Sequence, residues 1–384
     1  MPTYIGATEA ARLLGVTKPT LYAYVSRGLL DRRTAVDGRT SLYARDDIEE
    51  LANRSRRRAP VERPSIDVQI ASSITTLSDE RLSFRGHDAV ALATSGSFEQ
   101  AAELLWSGEL PEDVPRWPVD RTALRQARDH AAAIDDPLAR LSMSALSLSS
   151  RTDGAPAGAP PGAAAARRLL GIAPSVLGGP QRGDLATRLT AAWCGRSSPA
   201  VVAAVSRALV LLADHELATS TLAVRVAASV RAEPYAALST GLNVVGGSLH
   251  GAASRIAADM LASAQRDGAE RTVRARLAAG RLPGFGHTVY RNGDPRLAPL
   301  LDAVSAIPHE GGRWDVVADV LAVAGRHLGK HPNVDLGLAA LLFVGRLPLD
   351  APLFAIARLA GWGAHYDEEI GERAVRFRGL TSAR

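Results

Sequence analysis

Residues 283–296 read PGFGHTVYRNGDPR, and residues 245–252 read VGGSLHGA. Each stretch sets one histidine, His287 and His250, among glycines. Glycine lets the backbone come close to a ligand, and a helix that starts just after such a loop offers free N–H groups to anions. The pattern predicts a helix beginning just after His250. A histidine beside glycine is usually structural. Two such loops, followed by Asp294-Pro295-Arg296 and then by Asn333-Val334-Asp335, are hard to explain as packing.

Outward from these loops the chain is alanine-rich and helical in pattern. Apolar residues recur at helix spacing over 98–107, 124–133, 200–212, 217–232, 252–265, 314–327 and 335–344. Strand signals are few. The main one lies within 68–84, where ITTLSDERLSF reads as a hairpin with a polar turn. Residues 152–163, TDGAPAGAPPGA, read as an exposed loop.

The 384 residues suggest two to three domains, and 46% hydrophobic with 22% charged residues is a globular composition. No apolar run is long enough to span a membrane, and the N-terminus does not read as a signal peptide, so a cytoplasmic protein with no membrane partner is expected. A single cysteine, Cys194, excludes an internal disulfide and a cysteine-built zinc site.

Charge is uneven. Residues 1–60 carry 11 Lys and Arg against 7 Asp and Glu, while the rest of the chain is nearly balanced at 34 against 33. A basic small module beside a neutral large one suggests an anion-binding appendage, and nucleic acid is the usual anion. Compositional drift is the other reading, since 43 of the 45 basic residues are arginine.

Residues 1–52 form the small module. A short helix, 8–14, a turn at Gly15-Val16 and a second helix, 18–27, capped by Thr17 give a helix-turn-helix with Ala10, Ala11, Leu14, Val16, Leu21 and Val25 inside. Asp37-Gly38-Arg39 is a turn between short segments ending at Tyr43, and Asp46 can cap a third helix through Ile48 and Leu51. Residues 53–65 are a basic linker. The module resembles winged helix-turn-helix domains of the MerR and excisionase type. The resemblance implies that Thr17, Lys18, Thr20, Tyr22 and Arg27 face duplex DNA and that Arg33, Arg39 and Tyr43 touch phosphates from the wing.

Residues 66–384 resemble the citrate synthase family, through ITTLSDERLSFRGHDAVALA, HELATSTLAVRVAAS, SLHGAA, PGFGHTVYRNGDPR, NVD and FAIARLAGWGAH in the family's order. The resemblance implies a mainly α fold with large and small helical domains, the small lobe being roughly 240–340 and inserted within the large one. It also implies an obligate homodimer. The implied reaction condenses acetyl-CoA with oxaloacetate, or a related keto acid, and releases CoA without metal or bound cofactor.

The matching positions give the site. Asp335 is the base that removes a poorly acidic methyl proton. Asn333 can cap its helix, which puts Asp335 in the first turn near the positive dipole end. His250 donates a hydrogen bond to the thioester oxygen, and His287 to the keto oxygen. His215 matches a further residue that binds the keto acid. Arg296 and Arg358 match arginines that pair with its carboxylates. Three departures concern the second substrate. Ala218 stands where the family has asparagine within the helix. Leu336-Gly337-Leu338 replaces an aromatic-rich stretch. The tail 369–378 lacks the family's Arg-Pro-Arg segment, leaving Arg373 as the nearest residue to complete the partner's site, with Glu372 as the ungapped alternative. A 2-methylcitrate synthase using propionyl-CoA, and a DNA-binding regulator whose large domain senses a metabolite, are the rival readings.

Overall fold

The computed structural model describes residues 4–14, 16–26, 30–35, 40–48, 69–78, 81–149, 160–195, 198–247, 250–251, 253–287, 289–290, 292–309 and 311–378. The chain divides into two compact units, residues 1–70 and 71–384. The linker expected over 53–65 lies outside the described residues.

In the first unit, Ala7–Leu14 and Lys18–Ser26 are the two helices of the expected pair. The carbonyl of Thr17 accepts the Leu21 N–H at 3.0 Å, so the second helix starts where the sequence places its cap. Strand Ser41–Ala44 is the centre of a three-stranded antiparallel sheet, flanked by Arg33–Thr34 and by Tyr4–Gly6. The strand at Tyr4–Gly6 was not foreseen. It closes the unit by burying Ile5 against Ala10, Ala11, Leu21, Leu30, Tyr43 and Ile48. A third helix begins at residue 45, one residue ahead of Asp46, and its continuation lies outside the described residues.

The second unit opens with the predicted hairpin. Thr75–Ser78 pairs with Arg81–Phe84, Thr75 opposite Phe84, and His87–Asp88 adds a short third strand. Among the described residues, the regular elements after it are all helices. Side-chain caps fix many of the starts: Asp88, Asp120, Asp136 and Asp184 each accept backbone N–H groups, and Ser97 forms a capping box with Gln100. Helix Leu353–Ile370 is buried along nearly its whole length, which its continuous apolar run demands. It packs on helix Pro161–Val176 at close range, since a Cβ on Gly363 would stand 2.8 Å from the Cβ of Ala166.

Two readings are corrected here. Residues 161–163, taken with the Gly/Pro-rich loop, begin the helix Pro161–Val176, and Gly162 and Ala163 are buried. Its N-cap residue, Pro160, makes no side-chain cap bond. Instead Asp367, from helix Leu353–Ile370, accepts the N–H groups of Gly162 and Ala163 at 2.7 Å each. The family's asparagine position is also not inside a helix. Ala218 is the N-cap residue of helix Thr219–Ser229, and a methyl group cannot accept the orphan N–H groups there. Among the described residues, no helix is long and apolar enough to cross a membrane.

Candidate active site

Six of the residues named from sequence line one cavity of about 460 Å³: His215, His250, His287, Arg296, Asp335 and Arg358. They come from five separate places in the chain.

Asp335 sits in the first turn of helix Val334–Val344, whose cap is Asn333, as expected. Burial pushes its carboxyl up to about 6, against the pull of the Arg296 guanidinium. Two backbone bonds zip this helix start to the glycine loop: Gly286 N–H to the His331 carbonyl at 2.8 Å, and Asn333 N–H to the Gly284 carbonyl at 2.9 Å. Gly284 has φ 78° and touches the backbone of Leu336, where a Cβ would collide. The start of the Asp335 helix and the His287 loop are therefore one structural piece.

His287 Nδ1 accepts the N–H groups of Val289 at 3.0 Å and Tyr290 at 3.2 Å. The ring proton is thereby assigned to Nε2, and burial followed by the Arg296 charge lowers the pKa and keeps the ring neutral. Nε2 lies 3.4 Å from Nη2 of Arg296, so two donors converge, a geometry that suits an oxygen acceptor. Arg296 is held by Asp294 through Nε at 2.9 Å and Nη2 at 2.8 Å. Asp294 also accepts the Val334 N–H at 2.9 Å, tying the arginine to the start of the Asp335 helix.

His250 donates its backbone N–H to the Gly247 carbonyl at 2.9 Å, and the helix after it is Ala253–Asp267. Its Nε2 lies 2.8 Å from Ser220 Oγ. Burial, then the Arg358 charge, lowers it to about 4, so the ring is neutral at physiological pH. Arg358 is buried on helix Leu353–Ile370, with its Cζ 4.8 Å over the Phe354 ring. Its Nε and Nη1 have no hydrogen-bond partner. Burial lowers its pKa to about 10, with Asp214 opposing the fall.

His215 does not lie on a helix. It sits in the turn ahead of Thr219–Ser229, and burial plus the nearby arginines pulls its pKa far down. Both of its neighbours are anchored to strand Thr75–Ser78. Asp214 Oδ2 accepts the Thr75 hydroxyl at 2.6 Å, and Glu216, at φ 49°, accepts the Leu77 N–H at 3.3 Å. The sequence reading missed these anchors. It also missed Tyr290, whose hydroxyl lies 3.2 Å from His215 Nε2 and whose ring is 4.7 Å from that of His287. The HTVYR spacing, which puts a large polar aromatic three residues after His287, was the available signal.

Arg373 is exposed and does not line this cavity. Nearby Arg376 is committed to its own chain, with Nε 2.8 Å from Glu369 and Nη1 3.3 Å from Glu372. In the N-terminal unit, Thr17, Lys18, Tyr22 and Arg33 are exposed and Thr20 is half-buried. Arg33 stacks its guanidinium 5.1 Å over the Tyr4 ring. Arg27 and Arg39 lie outside the described residues. Tyr43 is a correction: it is fully buried in the small core, on the central strand of the sheet and packed with Ile5, Leu21 and Ile48, and it is not placed to touch phosphate.

The sequence pattern of the citrate synthase C-terminal domain family matches residues 67–378. The chain belongs to the citrate synthase family. It is an enzyme of that family, a condensing acyltransferase. A helix-turn-helix domain pattern matches residues 4–56. A 2-methylcitrate synthase of Mycobacterium tuberculosis is 29% identical over 323 residues, covering 77% of this chain and 82% of that protein. A citrate synthase of Haloferax volcanii is 30% identical over 336 residues, covering 78% and 88%. The solved citrate synthase of Thermoplasma acidophilum, in ternary complex with carboxymethyl coenzyme A and oxaloacetate, has a TM-score of 0.69 at 22% identity, covering 83% of this chain and 95% of that one. These relatives span citrate and 2-methylcitrate synthases, so they fix the reaction class and leave the acyl group open.

Proposed function

We propose that the enzyme condenses acetyl-CoA with oxaloacetate, hydrolyses the bound citryl thioester and releases citrate and CoA. Asp335 removes a proton from the thioester methyl group while neutral His250 donates to the thioester oxygen. The methyl carbon then bonds to the keto carbon, and the alkoxide formed at the keto oxygen accepts a hydrogen bond from the Nε2–H of His287 and takes up, through water, the proton that Asp335 removed. Water cleaves the thioester in the final step. Neutral donors suit this chemistry, because they stabilise developing oxyanions without titrating near neutral pH.

The observation that carries the reading is Arg358, whose Nε and Nη1 are buried and unpartnered in the same cavity as the Asp335 carboxyl. A buried guanidinium edge without partners is costly, and a substrate carboxylate satisfies it. Arg296 and His287 supply the second set of donors, and His215 lines the same wall. Arg373 is proposed to reach the site of a partner subunit in a homodimer. Thiol release from acetyl-CoA and propionyl-CoA, each with and without oxaloacetate, tests the proposal. Oxaloacetate-dependent release that favours acetyl-CoA supports it, and release only with propionyl-CoA makes the enzyme a 2-methylcitrate synthase.

A second function is proposed for residues 1–52, namely binding of duplex DNA through Lys18, Arg27, Arg33 and Arg39. The exposed Lys18, Tyr22 and Arg33 on a helix-turn-helix unit favour it.

A further inference from the structure

A second cavity, of about 160 Å³, lies behind the active site. Phe354 is the one residue, among those described, that lines both cavities. The wall of the second cavity includes the apolar Val245, Leu338 and Leu342 together with Phe354, and its exposed residues include Asp136 and Arg255.

Its position relative to the reacting groups is set by helix geometry. Leu338 and Leu342 follow Asp335 by three and seven residues on helix Val334–Val344, so the three share a face. At about 1.5 Å of rise per residue, the apolar wall begins roughly 5 Å along the axis from the base. Gly251 and Ser254, just after His250, line it from the other side. The cavity thus starts next to the two groups that activate the carbon alpha to the thioester.

The Phe354 ring is held by His250 and Arg358. It meets the His250 ring edge-on at 5.9 Å between centroids, and the Arg358 Cζ lies 4.8 Å from its centroid, over the ring. A ring held at two places is a wall. The space behind it holds several methylene groups, given that a water molecule's share of liquid volume is roughly 30 Å³.

We infer that Phe354 sets the acyl-chain length of the reaction, and that the cavity behind it receives the extra methylene groups of linear acyl-CoAs when the ring is absent. The inference rests on the condensing reaction proposed above. Arg358 explains why the ring stays in place: an aromatic four residues earlier on the same helix stacks under the guanidinium that holds the keto acid. Chain-length discrimination and keto-acid binding then share one side-chain stack.

The test measures kcat/KM for acetyl-, propionyl- and butyryl-CoA with oxaloacetate, for the wild type, Phe354→Leu and Phe354→Ala. One methylene in an apolar pocket changes kcat/KM by roughly 10–200-fold. The butyryl-to-acetyl ratio is expected to rise by at least about 10-fold in Phe354→Ala, with Phe354→Leu between the two. Adding Leu342→Phe to Phe354→Ala refills the cavity and should bring the ratio back towards that of the wild type. Using a ratio cancels any general loss from disturbing Arg358. Calorimetric binding of S-ethyl and S-butyl thioethers of CoA, with oxaloacetate present, reads the same preference without turnover. If acetyl-CoA is turned over and neither preference moves, the chain-length wall is wrong and the condensation stands. If the thioether preference moves but no acyl-CoA is turned over, the wall stands and the condensation is wrong. If nothing is turned over and no thioether binds, both are wrong.

Discussion

The side-chain oxygen of Asn333 accepts the backbone N–H of Asp335 at 3.0 Å, and its amide nitrogen donates to the Gly286 carbonyl at 2.7 Å. One side chain therefore sets the first turn that carries the base and holds the loop that carries His287. Asn333→Ala should lower turnover and also weaken keto-acid binding, because both elements move. Loss of an N-cap costs about 1 kcal/mol of stability, so a small drop in melting temperature with a larger drop in kcat/KM is the expected pair of results.

Asp335→Asn should keep keto-acid binding and slow turnover by about 10²–10⁴-fold, the size of a lost general base. The same variant should melt at a higher temperature at pH 7.5. A carboxyl held at about 6 in the fold against an ordinary 3.8 stabilises the protein fully below pH 3.8, and that contribution is lost as pH rises through 6. Near-normal turnover in single-turnover assays would remove Asp335 from the mechanism.

The pH profile of kcat/KM should rise with a single ionisation near 6 and stay flat above it. Asp335 must be a carboxylate to act, which gives the acid limb, whereas His250, at about 4, is already neutral there. An acid limb that persists unchanged in Asp335→Glu would assign the ionisation to another group.

Arg358→Gln should raise the KM for oxaloacetate by about 100-fold, in line with the 2–5 kcal/mol cost of truncating one partner of a buried charge pair. Phe354 stacks on this side chain, so Arg358→Lys, which cannot reproduce the planar edge, should recover only part of the loss. Isothermal titration of the keto acid alone checks this directly.

Sedimentation at assay concentration should show a homodimer, and a fully active monomer would contradict that expectation. Fluorescence anisotropy with duplex DNA should show weak, salt-sensitive binding. Four phosphate contacts give a slope of log affinity on log salt near −4 per module, from roughly −0.9 per phosphate. Removing residues 1–64 should leave turnover largely intact. If it abolishes turnover in a folded protein, the two units are not independent in function.

Much of the site was legible because its residues announce themselves locally. His250 and His287 sit in glycine loops, and Asp335 follows a capping asparagine, all visible over a few positions. The missing pieces act across the chain. Thr75 holds Asp214 from 139 residues away, and Asp367 caps a helix 204 residues earlier in sequence. No local spacing encodes such contacts. Tyr43 failed for a different reason: its surface role was transferred by resemblance, and alternation in SLYA marks Leu42 as readily as Tyr43 for the inward face.

Arg376 has a wider consequence. Its partner Glu369 is fully buried and is shared with Arg225, itself fully buried, whose Nε lies 2.8 Å from the carboxylate. Arg225 belongs to the helix that starts beside His215. The last described turn of the chain thus supplies half of the compensation for an interior charge, and a protease cut after residue 370 would strand Glu369 with one cation. Damage after residue 370 would then register at His250, which Ser220 of the Arg225 helix contacts, as misplacement of that helix, some distance from any bond that was broken.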